Sequence, residues 1–511
     1  MRIIFYIAFF LLVQVTAQAQ LHKAVADTEF FYCYGGAKDE EARAIKEMPG
    51  GGYIVAGTTA SFGQGNTSAY LVKTDKDGKH LWSYPYGGSL NDHAYGLEIT
   101  ADSGYFVTGF SNSFGVQEQS GYDAYYFKTD KNGNLLWQKT IRGDDWDFLY
   151  GSAAMADGGF ILCGETYSKS NGGSDAYLVR INKDGDTLWS HRYGGLFDET
   201  FNRVCIMYNQ VYAIGKNATH ASDTAADAWL VKLDTNGTIL RETFLGGPHH
   251  LEEIATGIMP YNATQFHLCG NINVLDSGSI VPFLYRVDTS FAMTIIPNYF
   301  SRSPGNEVAF NQVVNTSYGD ICVVGSAIGG WGGRNIFWIG YDASMQYIPG
   351  YVRHSGGSYD EYGYDAIHTS AGRLIAVGNE NSFCSGATDV FLVRFNTDSI
   401  DNLQVQYSKT TCYTDTLFLW AAHIHEYGGD THTRFYPNPV SNQGILEIMD
   451  GNESNYEARV FSVTGAEVMH FAAKKTANAI DLSSLPPGSY FMQVRNSQGA
   501  LTSLIKFAVT R

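Results

Sequence analysis

Acidic residues recur at matched positions along this sequence, and their carboxylates are the groups best suited to chemistry. One series begins apolar segments such as "DAYLVRI", and the other lies in Gly-rich loops that precede alternating segments such as "AYGLEIT". Carboxylates collected on one surface can bind cations, or can accept hydrogen bonds from glycan hydroxyls while sugar rings stack on aromatic side chains. The residues that we group as a candidate ligand face are Asp123, Asp175, Asp227, Asp389, Asp198, Glu199, Asp360 and Glu361.

The same acids have a structural alternative, because carboxylates also cap backbone amides of neighbouring repeats and keep a surface soluble. No catalytic residues are predicted, since no G-x-S-x-G, HExxH or P-loop pattern is present. No metal site is predicted either: the pair His249-His250 beside Glu252-Glu253 lacks a third fixed ligand. No cofactor is expected. Calcium is the one ion considered, at "DKDG" turns that lack the further ligands of an EF-hand.

The most repeated sequence motif of the chain is a turn followed by tryptophan. It occurs as Asp75-Gly78-Trp82, as Asp130-Gly133-Trp137 and, with Asn first, as Asn182-Gly185-Trp189. Asn and Asp tolerate a left-handed backbone and Gly adopts it freely, so the motif predicts a tight hairpin. The large aromatic ring four residues later is expected to pack between neighbouring repeats. Trp82, Trp137 and Trp189 are therefore predicted to be packing residues.

The elements that position these groups repeat about every 52 residues. Gly-Gly pairs stand at 35–36, 87–88, 194–195 and 246–247, with Arg142-Gly143 between the second and third. Each unit contains four strand-like segments separated by turns, as in a β-propeller blade. Seven units between residues 34 and 402 predict a seven-bladed β-propeller. A parallel β-solenoid is the alternative, although its repeats are shorter. The units resemble Kelch and quinoprotein propeller repeats in size, and the turn is similar to tryptophan-docking repeats and to Asp-box hairpins with a spacing that differs by one.

Closure of such a ring requires its two ends to meet, because an open ring leaves strand edges exposed. The segment "FFYCYGG" at 30–36 matches "LWSYPYGG" at 81–88, which is the last strand of a unit. Residues 20–33 are therefore predicted to supply an N-terminal strand that completes the last blade. The segment "LQVQY" at 403–407 is a competing candidate for that position.

Bulk properties restrict the partners and the compartment. The chain of 511 residues has 34 basic and 51 acidic residues and a net charge of −17, which argues against binding nucleic acid. Residues 1–19 have the basic start, apolar stretch and A-x-A end of a signal peptide, with cleavage expected between Ala19 and Gln20. No transmembrane segment is expected in the mature chain. Of seven cysteines, Cys384 and Cys412 lie in polar stretches and could pair, a question that the sequence leaves open.

The repeat ends at residue 402, and a linker is predicted at 403–434 before a small all-β sandwich at 435–511. This last part closely resembles the type A C-terminal sorting domain of the Bacteroidota type IX secretion system. The residues that carry the resemblance are Pro437, Asn438, Pro439, Gly465, Gly488, Tyr490 and Lys506. The resemblance implies export through that machinery, removal of the domain, and attachment to surface lipopolysaccharide or release. A carbohydrate-binding or fibronectin-like module is the alternative for this segment.

These observations predict an exported propeller that is attached to the cell surface or secreted. A binding or adhesion function with a glycan or protein ligand is the favoured interpretation. The alternatives are a glycan-active hydrolase or lyase on a propeller scaffold and a structural surface protein. Enzyme activity is left open and is the less favoured interpretation.

Overall fold

The computed structural model describes residues 30–114, 121–220, 225–246, 251–275, 278–296, 307–316, 319–328, 333–355, 359–382, 388–395, 410–414, 433–436, 443–448, 455–462, 467–486, 488–496 and 501–509. All of the regular elements in these ranges are β-strands. Across the same ranges no helix is long and apolar enough to cross a membrane. The predicted all-β class is confirmed.

The first strand, β1 (Phe30–Gly35), precedes six antiparallel sheets of four strands that follow one another in chain order and that we call blades 1 to 6. Their strands are: blade 1, β2 (Glu40–Glu47), β3 (Tyr53–Thr59), β4 (Ser68–Thr74) and β5 (His80–Tyr86); blade 2, β6 (Asp92–Ile99), β7 (Tyr105–Ser111), β8 (Asp123–Thr129) and β9 (Leu135–Ile141); blade 3, β10 (Asp147–Ala154), β11 (Phe160–Thr166), β12 (Asp175–Ile181) and β13 (Thr187–Tyr193); blade 4, β14 (Glu199–Met207), β15 (Gln210–Asn217), β16 (Asp227–Leu233) and β17 (Ile239–Leu245); blade 5, β18 (Leu251–Pro260), β19 (Gln265–Val274), β20 (Ser279–Asp288) and β21 (Met293–Ile295); blade 6, β22 (Val308–Asn315), β23 (Ile321–Ile328), β24 (Arg334–Tyr341) and β25 (Tyr347–Ser355).

Blade 7 combines both ends of the repeat region. It contains β26 (Tyr362–His368), β27 (Leu374–Glu380), β28 (Asp389–Phe395), then β1, and finally β29 (Thr410–Thr414). β1 pairs antiparallel with β28, and β29 pairs parallel with β1. The N-terminal strand therefore occupies the fourth position of the last blade, and a segment after the repeats adds a fifth strand. The competing segment 403–407 lies outside the described residues.

The first strand of each blade faces the centre of the ring, and these innermost strands contact one another in a closed cycle from β2 through β6, β10, β14, β18, β22 and β26 back to β2. We call the loop that leads into each innermost strand the entry loop. The loop between the second and third strands of a blade, the 2–3 loop, lies on the same face. Backbone bonds connect the two: the amide of Asp147 donates to the carbonyl of Tyr122 in blade 2, and Glu199 repeats this bond with Ser174 of blade 3.

The core lies between blades and not within one central cluster. Apolar side chains on the two faces of each sheet pack against the sheets on either side, as for Leu71 and Val107 between blades 1 and 2, or Phe106 and Phe160 between blades 2 and 3. The second and third strands of blades 1 to 3 are almost entirely buried, because each of them is covered by a neighbouring sheet on both faces. Stability is therefore distributed around the ring.

One cysteine ties the ring together. Cys33 of β1 is 1% exposed and is disulfide-bonded. Cys163, Cys205, Cys269 and Cys322 are free, so the partner of Cys33 is Cys384 or Cys412. The side chains of these two lie outside the described part of the chain. The sequence left the pairing of Cys384 with Cys412 open, and it gave no sign that Cys33 takes part in a disulfide.

The C-terminal segment forms a separate sandwich with its own core. One sheet contains β30 (Thr433–Tyr436), β31 (Gln443–Ile448) and β34 (Ala477–Asp481), and the other contains β32 (Asn455–Ser462), β33 (Glu467–Lys474), β35 (Gly488–Asn496) and β36 (Leu501–Val509). Leu446 and Ile480 of the first sheet pack against Val460 and Met492 of the second. The predicted small β-sandwich is confirmed.

Candidate functional site

Acids at the start of the innermost strands, which we call the inner acids, hold the entry loops in place. Their side chains are buried, and one carboxylate oxygen accepts the amide hydrogen of the second Gly of the Gly-Gly pair, four residues earlier. The other oxygen accepts from the 2–3 loop or the end of the second strand of the same blade, as when Thr59 Oγ1 donates to Glu40 at 2.7 Å. The Gly amide bonds are Gly36 to Glu40 at 2.7 Å, Gly88 to Asp92 at 2.8 Å and Gly195 to Glu199 at 2.7 Å. This geometry gives the recurring Gly-Gly pairs a structural reason.

Members of the candidate ligand face therefore divide into three groups by exposure. Glu199, Glu361, Asp175 and Asp389 are at most 3% exposed. Asp198 and Asp360 are exposed, and each accepts a backbone amide from the preceding blade, from Ser174 and Arg334 respectively. Asp123 and Asp227 are half-buried, and Asp227 Oδ2 lies 3.0 Å from His220 Nδ1. The structure brings these acids to one face, where their contacts match the structural alternative better than an open ring of free carboxylates.

Asp175 retains one carboxylate oxygen without a partner. Its Oδ1 is buried and has no hydrogen bond within the described residues. Burial raises the pKa of Asp175, and the nearby charge of Glu199 raises it further. The residue lines a polar cleft of about 530 Å³ that also contains Asp147, Arg142 and Arg192. Within the described part of the chain no three His, Cys, Asp or Glu side chains are placed to hold a metal ion together.

The tryptophans of the repeated turn–tryptophan motif pack on the hairpin of the next blade. A Cβ placed on Gly185 of blade 3 would lie 2.7 Å from the Trp137 ring of blade 2. A Cβ on Gly133 would likewise lie 3.0 Å from Trp82, and one on Gly237 would lie 3.1 Å from Trp189. The Trp189 Nε1 also donates to the carbonyl of Thr235 at 3.1 Å. The turn glycine that recurs in these repeats is thus a packing surface for the tryptophan of the preceding repeat.

A β-bulge recurs at the same place in the innermost strand of every blade and forms a ring of seven side chains. In blades 4 to 6 the bulged residue hydrogen-bonds a backbone carbonyl of the next blade, as from Thr256 Oγ1 to Phe310 at 2.7 Å. In blades 7 and 1 to 3 the bulged residues are Tyr364, Arg43, Tyr95 and Tyr150. The ring as a whole is Arg43, Tyr95, Tyr150, Asn202, Thr256, Asn311 and Tyr364.

Arg43 is held between the bulged tyrosines of the two neighbouring blades, Tyr364 of blade 7 and Tyr95 of blade 2. Its guanidinium lies 4.9 Å from the ring centroid of Tyr95 and 4.3 Å from that of Tyr364, both of which are cation–π distances. Glu41 pairs with its Nη2 at 2.5 Å. Burial acts to lower the pKa of Arg43, but the Glu41 carboxylate and the two tyrosines raise it overall. Arg43 is therefore charged, and its charge is compensated by Glu41 and by the faces of the two tyrosine rings.

An aromatic cluster extends from this ring to the entry-loop face of blades 2 and 3, and we call it the aromatic wall: Trp146, Tyr122, Phe148, Tyr150 and Tyr95. Trp146 is 45% exposed on the entry loop of blade 3. Sequence reasoning missed it. One signal is available when the repeats are aligned with one another. The residue before the inner acid is tryptophan in blade 3, whereas it is polar in other blades, as in Asp39, Asn91, Asp198 and Asp360.

Residues of the sorting motif fall mainly outside the described ranges. Pro437, Asn438, Pro439 and Gly465 lie outside them, whereas Gly488 begins β35 and Lys506 lies in β36. Tyr490 is buried, and its hydroxyl donates to the carbonyl of Pro486 at 2.7 Å. This hydrogen bond connects the segment at Pro486 to β35. The signal-peptide residues Ala19 and Gln20 also lie outside the described part of the chain.

Two segments of the chain match known families. Residues 434–508 match the family described as a secretion system C-terminal sorting domain. Residues 156–187 match a β-propeller family described as a domain of unknown function, DUF5122. The chain is therefore a β-propeller protein that carries a type IX secretion sorting domain. That domain implies interaction with the secretion machinery and export to the cell surface or beyond.

Similarities to solved structures are remote, and no curated protein matches the chain. Polysaccharide lyase Uly1 aligns at 10% identity over 75% of this chain and 96% of its own, with a TM-score of 0.44. The propeller domain of the Trilobed protease from Pyrococcus furiosus aligns at 9% over 72% and 98%, with a TM-score of 0.43. PorZ, a surface component of the type-IX secretion system of Porphyromonas gingivalis, aligns at 11% over 93% of this chain and 60% of its own, with a TM-score of 0.40.

Proposed function

We propose that this protein is an exported binding or adhesion protein that presents the entry-loop face of its propeller at the cell surface. Residues 1–19 direct export across the inner membrane and are cleaved after Ala19. Residues 435–511 then direct passage through the type IX machinery. The domain is removed, and the propeller is attached to surface lipopolysaccharide or released. The match of residues 434–508 to the sorting family is the observation that supports this route.

A binding role for the propeller is supported by exposed apolar side chains on its entry loops. Leu90, Trp146, Leu196 and Tyr359 are each at least 45% exposed, at positions where the repeats differ from one another. Exposed apolar surface with a polar rim marks an interaction site more often than a feature of folding. The ligand class consistent with this face is a glycan or a protein, and nucleic acid is disfavoured by the net charge of −17.

Deletion of residues 434–511 tests the export route. The truncated chain should accumulate in the periplasm, because the propeller has its own core and the sorting module has another. Cell fractionation and surface immunolabelling measure the effect. A signal peptide and residues 434–511 fused to an unrelated reporter form the reciprocal control, and this reporter should reach the surface. Surface display of the truncated chain would contradict the assignment.

Binding is tested with the purified mature chain on a panel of neutral glycans, acidic glycans and extracellular proteins. We expect retention on at least one member of the panel. A chain that binds none of them contradicts the binding function while leaving the export route untouched.

A further inference from the structure

The aromatic wall is continuous from the exposed entry loop to the centre of the ring. The Trp146 ring lies 6.2 Å from Tyr122 and 6.0 Å from Phe148, both in edge-to-face geometry. Phe148 stacks on Tyr150 at 6.2 Å, and Tyr150 lies 5.6 Å from Tyr95. Tyr95 in turn contacts Arg43. Each ring of the wall is thus in contact with at least one other ring of the wall.

Aromatic rings at these positions occur in some blades and not in others. Blade 7 has the stacked pair Tyr362 and Tyr364. Phe148 is the residue directly after the inner acid, and blades 4 and 5 have Thr200 and Ile254 at that position. The bulged residues of blades 4 to 6 are Asn202, Thr256 and Asn311, whose polar atoms are used in bonds to the next blade. The repeated architecture therefore does not require aromatic rings at these positions.

Backbone geometry supports the position of Trp146. A Cβ on Gly121 would lie 3.0 Å from the indole, so the ring rests on the 2–3 loop of blade 2. The carbonyl of Trp146 accepts the amide of Tyr167 at 2.8 Å, which fixes the backbone of the loop. The indole is nevertheless 45% exposed, and its N–H has no acceptor within the described ranges. A flat ring with an unused donor is held at the surface.

Polar groups surround the wall. The Tyr150 hydroxyl donates to Glu165 Oε1 at 2.7 Å, and the other oxygen of Glu165 accepts from Ser174 and Thr200. The hydroxyls of Tyr95 and Tyr122 make no hydrogen bond to the described part of the chain. Aromatic faces bordered by hydroxyls and a carboxylate are the usual lining of sites for small polar ring compounds.

We propose that the aromatic wall binds pyranose rings of a neutral polysaccharide, with Trp146 as the outer stacking platform. This inference rests on the proposed binding function and assigns it a site and a ligand class. The apolar face of a pyranose ring covers an indole or phenol ring, while its equatorial hydroxyls reach hydrogen-bonding groups at the edge. The tyrosine hydroxyls and the indole N–H supply such groups here.

Charge favours a neutral glycan over an acidic one. The charge of Arg43 is compensated by Glu41. Burial lowers the pKa of His93, whose ring lies 6.1 Å from that of Tyr122, to about 4, so that it is neutral at pH 7. Asp144 and Asp145 are exposed beside Trp146, and Glu165 lies behind Tyr150. A uronate or sulfate ester approaching the wall would meet like charge.

Affinity electrophoresis and intrinsic tryptophan fluorescence of the full mature chain test the proposal. The probes are soluble glucan, mannan, xylan and galactan, with polygalacturonate as the acidic comparison. We expect retention on at least one neutral polysaccharide. Trp146→Ala should weaken that binding at least tenfold, and Trp146→Phe should restore part of it. The control Tyr208→Asn removes a ring that is 69% exposed in the β14–β15 turn on the opposite face, and should bind as the unmodified chain does.

Three results would overturn the proposal: no retention on any neutral polysaccharide, equal binding of polygalacturonate, or unchanged binding by a folded Trp146→Ala chain. Binding of the chain to a protein of the wider panel, combined with any of these, would leave the proposed binding function intact and reject only the glycan site. Thermal unfolding of the variant shows whether the chain is folded at the temperature of the binding assay, which separates loss of binding from loss of fold.

Discussion

At the scale of single residues, burial of an inner acid makes the free energy of unfolding depend on pH. Asp147 is 3% exposed, and burial raises its pKa from 3.8 to about 6, although Thr166 and Ser168 donate hydrogen bonds to it. The folded chain therefore binds this proton more tightly than the unfolded chain does. The resulting stabilisation is fully present below about pH 4 and is lost as pH rises through about 6.

Asp147→Asn should remove this dependence. The difference in free energy of unfolding between variant and unmodified chain should shift by about 3 kcal/mol in favour of Asn between pH 4 and pH 7.5, since two pKa units correspond to roughly that amount. Urea unfolding at several pH values measures it. Asp144→Asn, an exposed acid of the same loop, is the control and should leave the pH profile unchanged. Parallel profiles for Asp147→Asn and the unmodified chain would show that the buried carboxyl is not the cause.

At the scale of elements, the third-to-fourth strand hairpin of one blade is a packing partner of the blade before it. Gly185 and Gly158 of blade 3 have φ values of +81° and +82°, so Ala carries a similar backbone strain at both positions, about 1 kcal/mol. At Gly158 the nearest atom to an added Cβ is Lys183 Cβ at 3.5 Å, whereas at Gly185 it is the Trp137 ring at 2.7 Å.

Gly185→Ala should therefore destabilise the chain more than Gly158→Ala. Trp137 has Phe106 and Tyr126 at 6.1 Å from its centroid, so it has little room to move. We expect a loss of about 1 kcal/mol at Gly158 and about 2 to 4 kcal/mol at Gly185, with overpacking as the additional cost. Denaturant unfolding of both variants measures this. Combining Gly185→Ala with Trp137→Ala should recover part of the difference, and equal losses at the two glycines would contradict the docking role.

The sequence was most informative about elements and least informative about the site. Hairpin turns, strand order and the Gly-Gly period follow from local rules on backbone conformation and alternation, so the blades could be predicted from residues such as Gly133 and Leu97. The aromatic wall could not, because it joins residues from two blades that come into contact only through the packing of one sheet on the next. Phe148 and Tyr95 look like ordinary alternating strand residues. The burial of Glu199 could not be predicted either, because an acid in a Gly-rich loop is expected to be exposed to solvent.

At the scale of the whole molecule, the ring depends on β1, which joins residue 30 to a strand that ends at residue 395. The disulfide of Cys33 reinforces this closure. The register of β1 and β29 places Cys33 opposite Cys412, and parallel neighbours in register are close enough for a disulfide. Closing so long a loop is expected to stabilise the folded chain by about 2 to 5 kcal/mol.

Cys33→Ser and Cys412→Ser should thus lower the denaturation midpoint by the same amount. A reductant should lower the midpoint of the unmodified chain by that amount and should leave these two variants unchanged. Cys384→Ser is the matched control and should behave as the unmodified chain does. Thiol counting after denaturation should find five reactive groups out of seven cysteines, and seven after reduction. If Cys384→Ser reproduces the loss and Cys412→Ser does not, the closing bond runs from β1 to the 2–3 loop of blade 7, and β29 is joined to the propeller by backbone pairing alone.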